Sequence, residues 1–234
     1  MGDWVHGAQL PGFEAFHKAG IPMIEINSDP TTYKGDGALL YIGSDEVNDG
    51  IAAGKAMIAA GARTVLYPNS LPGSPAAESR NVGIREAVTA AGGKEIELEL
   101  SASTVGDPTA VTEAIRGTLL KNPKIDGVVG SSAQSADYAY AAIQQAGLAS
   151  KVRLGGFDDD TTTLTRIAKG QQFFAIDSQP YLQGYYSVVI ALQYIKYGFL
   201  PGMSEILTGP LVITKANVAQ ALKNASAGLA EAAS

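Results

Sequence analysis

Short apolar runs alternate with longer segments of helical spacing along most of this chain. The short runs predict β-strands at 21–27, 38–43, 64–67, 95–100, 125–130, 152–157, 173–176 and 211–213. The longer segments predict helices at 46–60, 76–91, 108–120, 134–146, 162–169 and 180–197, with a short helix after Lys215 and a tail that frays from Ala225 onward. Strict alternation of strand and helix with short loops predicts an α/β fold of doubly wound parallel sheets.

Capping residues mark the ends of several predicted helices. Asp45, Asp107 and Asp160 stand where N-caps belong, because Asp45 and Asp107 directly precede segments of helical spacing and Asp160 lies two residues before the segment at 162–169. Pro108 occupies a first helical position, and Gly147 follows the helix at 134–146 as a C-terminal glycine. These signals fix the boundaries of the predicted elements.

Polar residues follow two of the predicted strands at the point where each strand ends. The strand at 152–157 leads into Asp158, and the strand at 173–176 leads into Asp177, Ser178 and Gln179. Ligands of open parallel sheets bind beyond the carboxyl ends of the strands, so this placement indicates a binding cleft. The alternative is that Asp158 and Ser178 are ordinary strand-end or N-cap residues.

The composition argues against several classes of function. The 234 residues carry a net charge of −6 and no cluster of Lys and Arg, which argues against nucleic-acid binding. Cysteine is absent, and the two histidines, His6 and His17, lie far along the chain from the strand-end clusters. Asp158, Asp159 and Asp160 are adjacent and point in different directions, so a capping role is favoured over a metal site for the last two. The sequence thus predicts no enzyme, no cofactor and no metal site, and it shows neither a signal peptide nor an apolar run of membrane-spanning length.

Five tyrosines fall on predicted helices. They are Tyr138, Tyr140, Tyr181, Tyr185 and Tyr186. We expect most of them to pack within the protein rather than to form a platform for a ligand.

An ordered series of motifs runs from about residue 8 to about residue 218. It comprises A-G-I-P-M-I-E-I-N-S at 19–28, Y-I-G-S-D-E at 41–46, P-G-S-P-A-A-E-S-R-N-V-G at 72–83, I-D-G-V-V-G-S-S at 125–132, L-G-G-F-D-D at 154–159, F-A-I-D-S-Q-P-Y-L-Q-G at 174–184 and L-T-G-P-L-V-I-T-K-A-N at 207–217. The series resembles the periplasmic sugar-binding proteins of ABC importers, of the ribose- and galactose-binding type.

The resemblance implies a two-lobed periplasmic-binding-protein type I fold. It assigns 1–44 plus 179–207 to a remnant of the N-terminal lobe, 45–178 plus 208–218 to the C-terminal lobe, and 219–234 to a tail. It also implies that roughly 75–90 residues of N-terminal βα units, at about 30 residues per unit, have no counterpart here. We therefore expect a truncated first lobe with an exposed sheet edge, either unstable or completed by another chain.

The resemblance also implies a ligand site. Asn27 corresponds to a polar sugar contact, Arg80 to the ligand-binding arginine, and Asp158 to the carboxylate that accepts hydrogen bonds from sugar hydroxyls. The remaining implied contacts are Ser132, Ser178 and Gln179, with Ser132 and Ser178 shorter than the usual family side chains. An aromatic face for the sugar ring is expected from the segment without a counterpart.

The function implied by the resemblance is capture of a sugar or sugar alcohol between two lobes, in the periplasm, for delivery to ABC permease subunits. Two alternatives remain open at this point. The same fold serves as the ligand-sensing core of LacI-type transcription regulators, which an N-terminal helix-turn-helix in the full-length gene would indicate. The second alternative is an enzyme of the flavodoxin-like class, although no nucleophile–base set or phosphate loop supports it.

Overall fold

The computed structural model describes residues 1–229 of the chain as two sheets flanked by helices. The strands are β1 (Ile24–Ile26), β2 (Leu40–Gly43), β3 (Thr64–Asn69), β4 (Lys94–Glu99), β5 (Gly127–Gly130), β6 (Arg153–Phe157), β7 (Phe174–Asp177), β8 (Glu205–Leu207) and β9 (Leu211–Thr214). The helices are α1 (His6–Lys18), α2 (Glu46–Ala59), α3 (Pro75–Ala90), α4 (Ala102–Val105), α5 (Pro108–Lys121), α6 (Ala133–Gln145), α7 (Thr161–Ala168), α8 (Pro180–Tyr197) and α9 (Val218–Ser226). Among the residues described, none of the helices has the length and apolar character that a membrane crossing requires.

The larger sheet has six strands in the order β4-β3-β5-β6-β7-β9. All neighbours are parallel except β7 and β9, which are antiparallel. Alternation along β3 sends Val65 and Tyr67 towards the α2 and α3 side, while Leu66 packs in a second cluster with residues of α5 and α6. Helices therefore cover both faces of the sheet, and its strand ends are free to form a site.

The smaller sheet has three parallel strands in the order β1-β2-β8. Met1 extends it beyond β1, because the Ile26 amide donates to the Met1 carbonyl over 2.7 Å. Tyr41 on β2 is fully buried, and Phe13 of α1 is also buried. Helix α8 lies against β1 and β2.

The structure confirms the predicted α/β class, the parallel sheets and every predicted strand and helix to within a few residues. Asp45, Asp107 and Asp160 accept hydrogen bonds from backbone amides of the helices they precede, as predicted for N-caps. Sequence reasoning set no bounds for α1 and missed two short elements, β8 and α4. Residues 219–226, which it assigned to a tail, belong to α9, whose Val218 packs against the α7 core. Residues 230–234 of that predicted tail lie outside the described residues, and the assignment of segments to two lobes stays a prediction.

Glycines bring α2 and α3 into direct backbone contact beside the larger sheet. A Cβ atom on Gly83 would stand 2.1 Å from the Val47 carbonyl oxygen, and one on Gly50 would stand 2.1 Å from the Arg80 carbonyl oxygen. Both distances are far below van der Waals contact, and both neighbours are backbone atoms that yield only if a helix moves. The close contact matters for the site because α3 carries Arg80.

We expect Gly83→Ala to lower the free energy of unfolding by about 1–3 kcal/mol, since the added methyl group overpacks the helix contact. Gly117→Ala is the matched control, because Gly117 also lies inside a helix and a Cβ there meets nothing within 4 Å. That variant should gain roughly 0.5–1 kcal/mol from helix propensity. Denaturant titration of both variants measures the difference, and equal effects would contradict the packing argument.

Candidate functional site

A cavity of about 350 Å³ opens where the carboxyl ends of the two sheets approach each other. Four of its polar lining residues each directly follow a strand: Asn27 after β1, Ser70 after β3, Ser131 after β5 and Asp158 after β6. Helix α3 adds Arg80 from the side. The remaining lining residues are Trp4, Leu71, Ser74, Ala76, Ala77 and Ser132. The cavity is therefore a cleft at strand ends, where open α/β sheets bind ligands.

Backbone strain is concentrated at the same strand ends. Among the described residues, the non-glycine residues with positive φ are Asn27 at 51°, Asp158 at 71° and Gln179 at 57°. Residues other than glycine adopt this left-handed conformation at a cost, and such residues cluster at ligand sites. All three were singled out from the sequence as candidate contacts, and the strain is a geometric property that the sequence does not display.

Arg80 is held by three contacts along one side of the cleft. Its Nε donates to Glu46 Oε2 over 2.6 Å, its Nη1 donates to the Ser131 carbonyl over 3.1 Å, and its guanidinium lies 4.4 Å from the centre of the Phe157 ring. Burial lowers the pKa of Arg80, but the Glu46 and Asp158 carboxylates outweigh it, so the net shift is upward. Burial raises the pKa of Glu46 to about 7, against the opposing effect of Arg80. The guanidinium is thus rigidly placed and remains charged.

Asp158 has one carboxylate oxygen committed to the protein. Its Oδ2 accepts a hydrogen bond from the Ala133 amide over 3.0 Å, at the start of α6. Burial raises the pKa of Asp158, while Arg80 and the Ala133 amide act in the opposite direction. Ser132 beside it uses its hydroxyl as the N-cap of α6, accepting from the Ser135 amide over 3.1 Å. Asp158 thus lines the cavity while one of its carboxylate oxygens is engaged by the backbone.

A second, much smaller cavity of about 30 Å³ adjoins the first, and Asn27 and Asp158 line both. Asp159, Asp177, Ser178 and Pro180 line the remainder. Burial and the neighbouring Asp159 raise the pKa of Asp177 to about 6, and its Oδ1 accepts from the Gln179 amide over 2.6 Å. This corner of the cleft is consequently acidic, and its charge depends on pH near neutrality.

Two of the predicted contacts have another role in the structure. Gln179 lines neither cavity and is the N-cap residue of α8, so the expectation of a ligand contact is not supported by its placement. The Ser178 hydroxyl donates to Asp49 on α2 over 2.9 Å, which commits it to the protein even though the residue lines the small cavity. The cause is the sharp turn from β7 into α8, which directs these side chains away from the main cavity. Asn27, Arg80, Ser132 and Asp158 are brought together as predicted.

Three segments of the chain that connect the two sheets, those after β2, β7 and β8, meet beside the small cavity. Thr208, which follows β8, donates its amide to Gly43 at the end of β2 and its hydroxyl to the Ser178 carbonyl. The Gln183 side chain also donates to the Ser178 carbonyl, over 2.8 Å. A Cβ on Gly209 would lie 2.4 Å from Ser44 Oγ and 3.2 Å from the Ser178 Cα, so a side chain there would have to displace the Ser44 hydroxyl. The two sheets are therefore joined by a compact set of buried polar contacts directly behind the cleft.

Trp4 is a lining residue that the sequence analysis missed. It precedes α1, its Nε1 donates to the Asn27 carbonyl over 2.5 Å, and it lines the cavity while half of its surface is exposed. The aromatic face expected from the segment without a counterpart stays a prediction, and Trp4 is an aromatic lining residue within the chain itself. The available signal was that Trp4 is the only tryptophan of the chain.

The acidic corner gives a prediction for the pH dependence of stability. The pKa of Asp177 is raised in the folded state, so between the ordinary aspartate pKa and about 6 the folded protein binds more protons than the unfolded chain. Stability is therefore highest at the acidic end of this range and falls as the pH rises through it. In Asp177→Asn the melting temperature should fall less between pH 4 and pH 7 than in the wild type. Glu46 contributes to the decline that remains.

Thermal melts across this pH range check the prediction, with Asp107→Asn as a control at a helix cap outside both cavities. Equal slopes for Asp177→Asn and the wild type would contradict it.

Comparison with known proteins identifies the family. The family model described as "Periplasmic binding protein domain" matches residues 5–198. The chain belongs to this family. A crystal structure of a carbohydrate transporter from Acidothermus cellulolyticus 11B, in complex with myo-inositol, is 32% identical, with a TM-score of 0.88 over 97% of this chain and 77% of the other. The family match confirms the recognition and the fold class predicted from the motifs.

Further relatives have the same fold. A solute-binding protein of an ABC transporter from Agrobacterium vitis, bound with alpha-D-tagatopyranose, is 28% identical, with a TM-score of 0.80 over 96% of this chain and 76% of that chain. A curated relative, the xylose/arabinose-binding protein XylF of Sulfolobus acidocaldarius, is 26% identical over 215 residues, which is 86% of this chain and 52% of the relative. The chain thus spans about half the length of that curated relative.

Proposed function

We propose that this chain binds a neutral sugar or cyclic polyol in the cleft, as part of a periplasmic solute-binding protein that delivers the ligand to the permease subunits of an ABC importer. The observation that carries the proposal is the cleft itself, where Arg80, Asp158 and Asn27 converge at strand ends around about 350 Å³. That volume suits a small molecule and lies at the low end of ligand pockets. The ligands named for the relatives, myo-inositol and tagatopyranose, are of this size and chemistry.

Each lining group has a specific part in the proposed binding. The fixed Arg80 guanidinium donates to ligand oxygens, and the free oxygen of Asp158 accepts from hydroxyls. Trp4 provides an apolar face for the C–H side of the ring, since aromatic rings combine large apolar area with directional contacts. Asn27 belongs to the smaller sheet, whereas Arg80 and Asp158 belong to elements of the larger sheet. A ligand that contacts both sides favours the closed arrangement by its differential affinity.

The proposed role is binding without turnover. Among the described residues, the cleft lining contains serines and Asp158 but no histidine, so no serine there has an imidazole base. The relatives reported above are transport binding proteins, and none of them favours a transcription regulator.

A thermal-shift screen tests the proposal. A ligand that binds only the folded state must raise the melting temperature. The panel is myo-inositol, D-tagatose, D-allose, D-xylose and L-arabinose, with glycerol as an additive control. The expected result is a concentration-dependent shift with one or two cyclic compounds. A cooperative melt that none of them shifts would reject the sugar or polyol ligand.

Trp4→Ala should weaken binding of the ligand found in this screen by about tenfold, because it removes the apolar face while leaving Arg80 and Asp158 in place. The exposed side chain contributes little to the core, so the melting temperature without ligand should change far less than the affinity does. Calorimetric titration measures the affinity. If Trp4→Ala bound the ligand with wild-type affinity, the ring of the ligand would not pack against Trp4.

A further inference from the structure

Glu46 is a buried carboxylate that bonds to Arg80 without lining the cleft. It is the first residue of α2, its side chain is 1% exposed, and it borders neither of the two cavities. Arg80, whose Nε donates to it, does line the main cavity. A buried ion pair is weak evidence of a role in stability, because apolar residues of similar volume often stabilise a protein equally well. The placement of this pair beside the cleft points instead to a role in binding.

The start of α2 holds the Glu46 carboxylate in place. Asp45 caps the helix by accepting a hydrogen bond from the Asn48 amide over 3.0 Å. One turn further along, Gly50 lies in direct backbone contact with Arg80 itself. The carboxylate therefore cannot withdraw from the guanidinium unless the contact between α2 and α3 opens.

The same helix start is tied to the smaller sheet. Glu46 comes three residues after Gly43, the last residue of β2, whose carbonyl accepts from the Thr208 amide over 2.9 Å. The Tyr41 hydroxyl of β2 donates to the Ser44 carbonyl over 2.9 Å. Arg80, in contrast, lies on α3 beside the larger sheet. The bond from Arg80 to Glu46 thus joins a cleft residue of the larger sheet to the segment that leaves the smaller sheet.

Glu46 supplies the one charge-assisted bond among the three contacts that hold Arg80. The other two are a backbone carbonyl, that of Ser131, and the ring of Phe157. Hydrogen bonds between ionised groups are roughly twice as strong as neutral ones. We infer that Glu46 is a positioning residue, which sets the affinity for the ligand by orienting the Arg80 guanidinium and does not itself contact the ligand. The ligand in this inference rests on the proposed function, whereas the orientation of Arg80 can be measured without any ligand.

NMR of the arginine side chains in the whole 234-residue chain tests the orientation. The Arg80 Nε–H resonance is assigned by its loss in Arg80→Lys. Glu46→Gln keeps the shape and an acceptor oxygen but removes the charge, so at pH 8.5 it should speed solvent exchange of this N–H about tenfold. Glu113→Gln is the matched control, because it removes the same charge from an exposed ion pair with Arg116 on α5. It should leave the Arg80 resonance unchanged.

Calorimetric titration tests the effect on binding. The probe is whichever compound of the thermal-shift panel, myo-inositol or one of the four sugars, binds the wild type. At pH 8.5 Glu46→Gln should weaken its binding about tenfold, and Glu113→Gln should bind it as the wild type does. Unchanged affinity in Glu46→Gln, or reduced affinity with unchanged exchange at Arg80, would overturn the positioning role. If no compound bound the wild type, the proposed function would fail, and unchanged Nε–H exchange would still overturn the inference.

The pH profile of binding separates positioning from a merely structural role. Burial raises the pKa of Glu46 to about 7, so the wild type loses this charge between pH 8.5 and pH 6. The difference in affinity between wild type and Glu46→Gln should therefore shrink from about tenfold to about twofold at pH 6. Asp158 and Asp177 titrate in both proteins and cancel in the comparison. The charged or titratable groups around Glu46 are Arg80 on α3, Asp49 on α2, Asp29 after β1, Tyr41 on β2 and Tyr67 on β3. Each of them is present in both proteins, and a difference that did not depend on pH would contradict the assignment to Glu46.

Discussion

Arg80→Ala lowers the free energy of unfolding at pH 8.5 by about 3–5 kcal/mol, because it leaves the buried Glu46 carboxylate without its cation. The Glu46 side chain is 1% exposed and is the closest partner of the guanidinium. Denaturant titration measures the loss. The loss should be smaller at pH 5, where Glu46 is already protonated in the wild type because its pKa is about 7, so removal of Arg80 breaks no ion pair with it.

Two further variants make this prediction specific. Glu46→Gln combined with Arg80→Ala should recover much of the stability, because the uncompensated charge is then absent. Arg116→Ala, which removes an exposed arginine paired with Glu113 on α5, should leave stability nearly unchanged. If Arg80→Ala and Arg116→Ala behaved alike, the buried ion pair would not be a structural element of the cleft.

Asp158→Asn lowers the affinity for the ligand at least 100-fold, about 2.7 kcal/mol, because a neutral amide replaces the carboxylate that accepts from ligand hydroxyls and pairs electrostatically with Arg80. Asparagine is the appropriate replacement. It has nearly the same shape, it retains an acceptor for the Ala133 amide, and it tolerates the φ of 71° better than alanine does. The loss should therefore be one of binding rather than of folding.

Calorimetric titration of Asp158→Asn measures the effect, and Asp107→Asn serves as its control at a helix cap outside the cleft. Asp158→Ala would be a less specific test. Its effect would combine backbone strain at the left-handed position with the loss of the hydrogen-bond acceptor. Undiminished affinity in Asp158→Asn would mean that the ligand binds outside the cleft.

The alternation of apolar and helical segments was enough to predict the larger sheet. Its central strands β5 and β6 are buried on both faces, so each is a short run of apolar residues and glycines that ends at a polar residue. The same reasoning located Asp158, because the first residue after a buried strand lies at the carboxyl end of the sheet. Asn27 was assigned through the family resemblance. Strand β8 was missed because Glu205–Leu207 has only three residues, none of them fully buried. It is a strand because it pairs with β2, which is distant in sequence, and its own three residues show no periodic pattern.

The parts of the site that escaped prediction depend on side-chain direction and tertiary packing. Ser178 and Gln179 directly follow a strand, as Asp158 does. The structure separates them, because the backbone turns at Gln179 and commits the Ser178 hydroxyl to Asp49. Trp4 precedes a helix and shows no pattern of its own, and in the structure it lines the cleft with its indole bonded to the Asn27 carbonyl. No local signal in the sequence specifies either arrangement.

Fluorescence titration of Trp4 is the measurement that tests the central claim most directly. Trp4 is the only tryptophan in the chain and lines the cleft, so its emission reports on occupancy of this site and no other. The proposed function predicts a saturable, single-site change with the compound found in the thermal-shift screen, and it predicts that the same titration of Asp158→Asn is flat over that concentration range. A compound that raises the melting temperature but leaves the Trp4 emission unchanged would contradict binding in this cleft.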